Sequence, residues 1–216
     1  MTPSPVPLEA LLAFYAVLLL ERGNELAISA RHARRLAARG AREFGGEHFP
    51  LLVALHVLYP LALGFEVVGL GARPGPAWPA WLAAWLAAQA LRAWAMRSLG
   101  AFWNVRVWVV PGRPAIRRGP YRLIPHPNYL AVAIELAAGP LLFGAWRTAI
   151  AASALNAVAM AIRIPVEERA LRWAAANAEA KAAEHPEPEA AERPAPGPKP
   201  AEDSVPAPPR TAHGRG

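Results

Sequence analysis

Residues 50–70 hold only two side chains that charge near neutral pH, His56 and Glu66, in a run long enough to cross a bilayer. A helix rises about 1.5 Å per residue, so roughly 20 apolar residues cover the hydrocarbon core. Further apolar runs occupy residues 10–20, 78–96, 130–143 and 148–162, and segments crowded with arginine separate several of them. Backbone N–H and C=O groups find no water in lipid, so such runs must be helical. The chain is therefore expected to be an all-α integral membrane protein with about five transmembrane helices.

Charge sets the orientation. Residues 22–48 carry six arginines and three glutamates, and residues 97–123 hold Arg97, Arg106, Arg113, Arg117, Arg118 and Arg122 with no acid. Both segments are expected on the cytoplasmic side, with the N-terminus outside and the C-terminus inside. The first run is short, and its helix can continue through residues 21–30 into the interface. Residues 22–48 then read as an amphipathic connecting helix. Trp78, Trp81 and Trp85 share a face of the third run, where Trp78 suits an outer-interface anchor. Only four residues, 144–147, link the last two runs, so these form a helical hairpin with positions 129 and 163 side by side in the cytoplasm.

The expected organisation is a multi-span domain over residues 1–175 and a disordered Ala/Pro/Glu-rich tail over 176–216, with nine prolines after residue 185. No cleavable signal is expected, because three prolines and a glutamate precede the first run without a basic flank. The net charge of +7 fits loops facing anionic headgroups rather than a nucleic-acid surface. Cysteine is absent and the sole aspartate is Asp203. Thiolate nucleophiles, zinc–thiolate sites and aspartate-dependent triads are thereby excluded from the body of the chain.

Polar groups inside apolar runs are costly, and each has two readings. Glu135 is either part of a site or a hydrogen bond to a neighbouring helix. Gln89 and Arg92 either line a cavity or leave Arg92 to snorkel. Glu66, His56 and Asn156 read as links between helices. The run from Gly119 to Tyr129, GPYRLIPHPNY, is different. Pro125 and Pro127 forbid a helix through it, and Asn128 is placed to cap the helix starting near Tyr129. A cap does not account for a histidine held between two prolines beside a tyrosine. Arg163 and Glu167 share a helix face, and Pro165 between them implies a kinked helix end. Neither cluster has metal-ligand spacing.

At these residues the chain resembles the isoprenylcysteine carboxyl methyltransferase family, over roughly residues 80–172. The likeness rests on Gly119, Tyr121, His126, Pro127 and Tyr129, then Arg163 with Glu167-Glu168, and upstream Gln89 to Arg92 with Leu99-Gly100. It implies a cytoplasmic pocket for S-adenosyl-L-methionine contacted by Tyr121, His126, Pro127, Asn128, Tyr129 and Glu167. Arg113, Pro114, Ala115 and Ile116 correspond to a further donor-contacting stretch, and Arg163 to an arginine on the acceptor. Pro125 stands where the family has arginine, so Arg113 or Arg122 would replace that charge.

Residues 102–107, 109–112 and 163–171 are also similar to the bacterial branch found beside type III polyketide synthases. That similarity implies O-methylation of the ring hydroxyl of long-chain alkylpyrones or alkylresorcinols by a multi-pass protein of the bacterial inner membrane, with such a synthase as a partner. The lipophilic acceptor would arrive from the membrane lipid and bring its head group to Arg163. An acidic hydroxypyrone needs no strong base, whereas a phenol would need His126 or Glu168. Two other readings are a non-catalytic scaffold and an NADPH-dependent reductase of sterol-reductase type. Against the reductase, Leu130-Ala131-Val132 follows the tyrosine where a Gly-Glu pair would be required.

Overall fold

A computed structural model describes residues 6–184. Five α-helices form the described body: α1 (Leu8–Ala37), α2 (Phe49–Gly64), α3 (Trp78–Leu99), α4 (Pro127–Leu142) and α5 (Trp146–Glu184). Among the described residues, two stretches are long and apolar enough to cross a membrane, Gly46–Gly69 and Trp146–Ala178, and α4 is a shorter apolar helix. Leu20, Leu61, Val68, Ile150 and Val158 are each more than half exposed. So much outward-facing apolar surface is foreign to a water-facing monomer and suits lipid.

The interior is built from small residues that let helices approach. Ala131, Ala138, Ala145, Ala149, Ala152 and Ala159 are buried, as is usual where lipid supplies no hydrophobic drive and packing must hold helices together. A Cβ on Gly139 would strike the Tyr59 hydroxyl, so α4 reaches α2 only because that position is bare. Phe14 lies 5.5 Å from Trp85 and 5.2 Å from Phe143, edge-on to the latter. Together these rings join α1, α3 and the end of α4 in the apolar half of the bundle.

The α4–α5 hairpin turns at Gly144, whose φ of 76° is left-handed. A Cβ there would overlap the Arg73 carbonyl. Glu66, in a single π-turn (Phe65–Gly69) that ends α2, fastens the start of α5. Its carboxylate accepts the backbone N–H groups of Arg147 at 3.1 Å and Thr148 at 2.7 Å, donors that have no partner inside the helix.

Several expectations are corrected. Residues 22–37 are not a separate connecting helix. α1 runs unbroken to Ala37 and ends where Gly40 turns left-handed, with the Ala41 N–H closing back on the Leu36 carbonyl. The fold is not purely helical either. β1 (Arg42–Phe44) pairs antiparallel with β2 (Val107–Val109), in register Arg42 with Val109. The alternation in β2 buries Val107 and Val109 against Ala170 and Ala174 of α5. Pro165 does not end a helix: α5 continues through it to Glu184, so the tail expected from 176 starts no earlier than 185. Residues 185–216, where the rest of that tail was expected, lie outside the described residues. His56 bonds the Leu52 carbonyl of its own helix at 2.7 Å, rather than a neighbour.

Arg92 does not snorkel. It is 4% exposed and reaches Glu25 of α1 at 2.5 Å and Glu135 of α4. Arg22 adds a 2.9 Å contact to Glu25 and a 3.5 Å contact to Glu135. Three helices are thus joined by a compensated ion cluster, the form in which buried charge is tolerated.

Candidate functional site

A cleft opens at the end of the bundle opposite the Gly144 turn. It is an open cleft, with about 890 Å³ of space when the solvent at its mouth is included. The loop after β2 supplies Arg113, Pro114, Ala115 and Ile116 to its lining. Tyr121 comes from a short 3-10 turn (Gly119–Arg122). His126, Asn128 and Tyr129 come from the start of α4, and Arg163 and Glu167 from the middle of α5. Two residues expected at the site are not on this wall. Pro127 is fully buried as the first residue of α4, where a missing N–H costs nothing. Glu168 is half-exposed, 3.8 Å from His126 Nε2.

Asn128 does not cap α4. The cap position is His126, with no side-chain bond to the helix, because the helix begins at Pro127, two residues earlier than the proline pattern implied. The Asn128 Oδ1 atom is instead buried in the cleft wall without a partner among the described residues, as is Trp108 Nε1. Both residues line the cleft, and buried polar atoms are as a rule partnered by protein or water.

A hydrogen-bonded chain crosses the cleft wall. The Tyr129 hydroxyl donates to the Glu167 carboxylate and accepts from Arg163 Nε at 2.8 Å. Arg163 Nη2 donates to the Val105 carbonyl at 2.6 Å, so two bonds fix the plane of its guanidinium. The His126 ring stacks on Tyr129 at 5.3 Å and places Nδ1 3.8 Å from Glu167. Burial, and then the Glu167 carboxylate, push the Tyr121 hydroxyl well above the usual tyrosine range. It therefore stays a neutral donor.

These groups fit S-adenosylmethionine in kind. Aromatic faces at Phe102, Trp103, Tyr121 and Tyr129 suit an adenine or a sulfonium, Glu167 and the unpaired Asn128 Oδ1 suit hydroxyl or ammonium donors, and Arg113 suits a carboxylate. Arg113 stacks on Phe102 at 4.2 Å, whereas Arg122, the other arginine considered to replace the charge missing at Pro125, is outside the cleft lining. Sequence reasoning named no site residue among Phe102, Trp103, Asn104 and Arg106, which also line the cleft. It also missed Ser29 and His32, which support that wall from behind. Their signal was a polar stripe on α1 (Glu21, Glu25, Ser29, His32) at helical spacing.

Helices with outward-facing apolar side chains surround a polar, aromatic-walled cleft, an arrangement that suits a membrane protein. The sequence profile of the isoprenylcysteine carboxyl methyltransferase (ICMT) family matches residues 81–173. The chain is 38% identical to Uncharacterized protein YpbQ of Bacillus subtilis (strain 168) over 157 residues, covering 73% of this chain and 94% of the relative. It is 28% identical over 158 residues to an uncharacterized protein of Haemophilus influenzae (strain ATCC 51907 / DSM 11121 / KW20 / Rd), covering 73% and 92%. No solved structure matches it. The chain belongs to the isoprenylcysteine carboxyl methyltransferase family, whose members are membrane methyltransferases.

Proposed function

We propose that the protein uses S-adenosylmethionine to methylate an anionic oxygen at the head of a long apolar acceptor, namely the ring hydroxyl of an alkylpyrone or alkylresorcinol. The observation that carries this reading is the Glu167–Tyr129–Arg163 chain on the wall of a cleft whose Asn128 Oδ1 is unpaired. The reading places about five helices across a bacterial inner membrane, with the cleft and the C-terminus on the cytoplasmic side and a type III polyketide synthase as the source of acceptor.

The donor, when bound, supplies an electrophilic methyl carbon on a sulfonium; the S–CH3 bond breaks as the O–CH3 bond forms. Such in-line displacement depends on alignment and on excluding water. Tyr121, Asn128, Tyr129, Glu167 and Arg113 hold the donor's aromatic, hydroxyl, ammonium and carboxylate groups. Arg163 faces the acceptor's oxyanion, whose acidity in a hydroxypyrone removes the need for a base. For a phenol, His126 takes the proton, with Glu167 and Glu168 each 3.8 Å from one of its ring nitrogens to hold the resulting charge.

Purified protein, methyl-tritiated donor and a panel of alkylpyrone, alkylresorcinol and prenylcysteine test this directly. Label on a ring oxygen is expected. Label only on the prenylcysteine carboxylate would replace the acceptor assignment, and binding of NADPH without donor binding would end the methyltransferase reading.

A further inference from the structure

Hydrogen bonds run without a gap from the first helix to the cleft arginine. Ser29, 4% exposed on α1, donates from Oγ to Asn104 Oδ1 at 2.7 Å and accepts the Val105 N–H at 3.3 Å. Asn104 Nδ2 returns a bond to the Ser29 carbonyl at 3.0 Å. One turn further along α1, His32 Nδ1 lies 2.7 Å from the Trp103 carbonyl. The turn over residues 103–106 is thereby clamped to α1, and its Val105 carbonyl is the group that accepts Arg163 Nη2.

We propose that Ser29 is a positioning residue for Arg163: its hydroxyl fixes the 103–106 turn so that the Val105 carbonyl keeps the guanidinium turned into the cleft. Packing alone does not require this hydroxyl. An alanine would fill the same helix position, but would leave the Val105 N–H without its bond to Ser29 and the Asn104 Oδ1 with only the Arg106 N–H, at 3.0 Å. α1 lies outside the segment that matches the family profile, residues 81–173, so this support is carried by a part of the chain the match does not reach. The inference rests on the methyltransferase reading only for its kinetic arm.

The test begins without donor. In detergent-solubilised protein carrying 15N-arginine, the Arg163 Nε–H resonance is identified by its loss in Arg163→Lys, and its hydrogen exchange is measured. Ser29→Ala is expected to speed that exchange about tenfold or more, and Ser29→Thr, which keeps the hydroxyl, to restore the parental rate. Parental exchange in Ser29→Ala overturns the proposal. If Ser29→Ala does not fold, Asn104→Ala cuts the same link from the loop side and is judged by the same criterion; loss of fold in both makes the role structural and also overturns it. In turnover, Ser29→Ala is expected to lower kcat about tenfold at unchanged donor KM, and to add nothing in an Arg163→Lys background. Losses that simply multiply overturn the coupling. A parent that methylates no acceptor sinks the methyltransferase reading instead, while the exchange measurement still decides the role of Ser29.

Discussion

Glu66 and Thr148 are joined by two hydrogen bonds of 2.7 Å, one from the threonine N–H and one from its hydroxyl, both to the same carboxylate oxygen. This contact closes the end of the bundle far from the cleft. Glu66→Ala removes it and leaves buried donors at the start of α5, so a loss of about 1–3 kcal/mol in stability is expected. The measurement is thermal unfolding in detergent, with donor affinity as the control that stays at the parental value.

The ion cluster behind the cleft predicts non-additive substitutions. Arg92→Met leaves Arg22 alone against both Glu25 and Glu135, an excess of buried negative charge that should cost about 3–5 kcal/mol. Adding Glu135→Leu removes the excess carboxylate and leaves Arg22 paired with Glu25 at 2.9 Å. The double variant is therefore expected to be more stable than Arg92→Met alone, as read by unfolding midpoints. A double variant less stable than the single one contradicts this account.

Tyr129→Phe deletes the hydroxyl shared by Arg163 and Glu167 while keeping the ring that stacks on His126. With both partners released, misalignment on the order of 10²-fold in kcat/KM is expected, since small displacements at a displacement reaction cost that much. The fold should survive, which near-parental circular dichroism and melting would establish.

Asn128→Ala separates stability from binding. Its Oδ1 is buried with no partner among the described residues, so removing it should not destabilise the protein. Donor affinity should fall about tenfold, the worth of one hydrogen bond to a bound ligand. Isothermal titration with donor reads the second effect and thermal melting the first.

Tyr121 should resist ionisation. Its hydroxyl is held above the usual tyrosine range by burial and then by Glu167, so the protonated form persists to higher pH than an ordinary tyrosine allows. An alkaline absorbance titration of the parent and of Tyr121→Phe should give the same phenolate signal through roughly pH 9–11, where free tyrosine ionises. A deficit of one phenolate in the variant there would show an ordinary Tyr121.

Much of this arrangement is legible in one dimension because a short turn dictates it. With only residues 144–147 between two apolar runs, position 129 has to lie near position 163, and the Arg163–Tyr129 bond follows. Pro165 misled for a local reason: a missing N–H forfeits one helical bond, which the packing of Ala170 and Ala174 against β2 outweighs. The Arg92 cluster was half visible. An arginine in an apolar run announces a partner, yet nothing in the sequence says that Glu25 lies across the bundle. The support from Ser29 depends on contacts some 75 residues apart, fixed only when α1 docks, and the pairing of β1 with β2 is hidden for the same reason.

α5 has 39 residues and so extends about 58 Å as one rod, roughly twice the hydrocarbon thickness of a bilayer. Glu66 pins one end of it, and Arg163 and Glu167 ride near its midpoint. In the proposed spanning arrangement, the half of the rod beyond Arg163 and Glu167 stands clear of the hydrocarbon layer. Bilayer thickness in the host membrane then bears on how far that rod tilts.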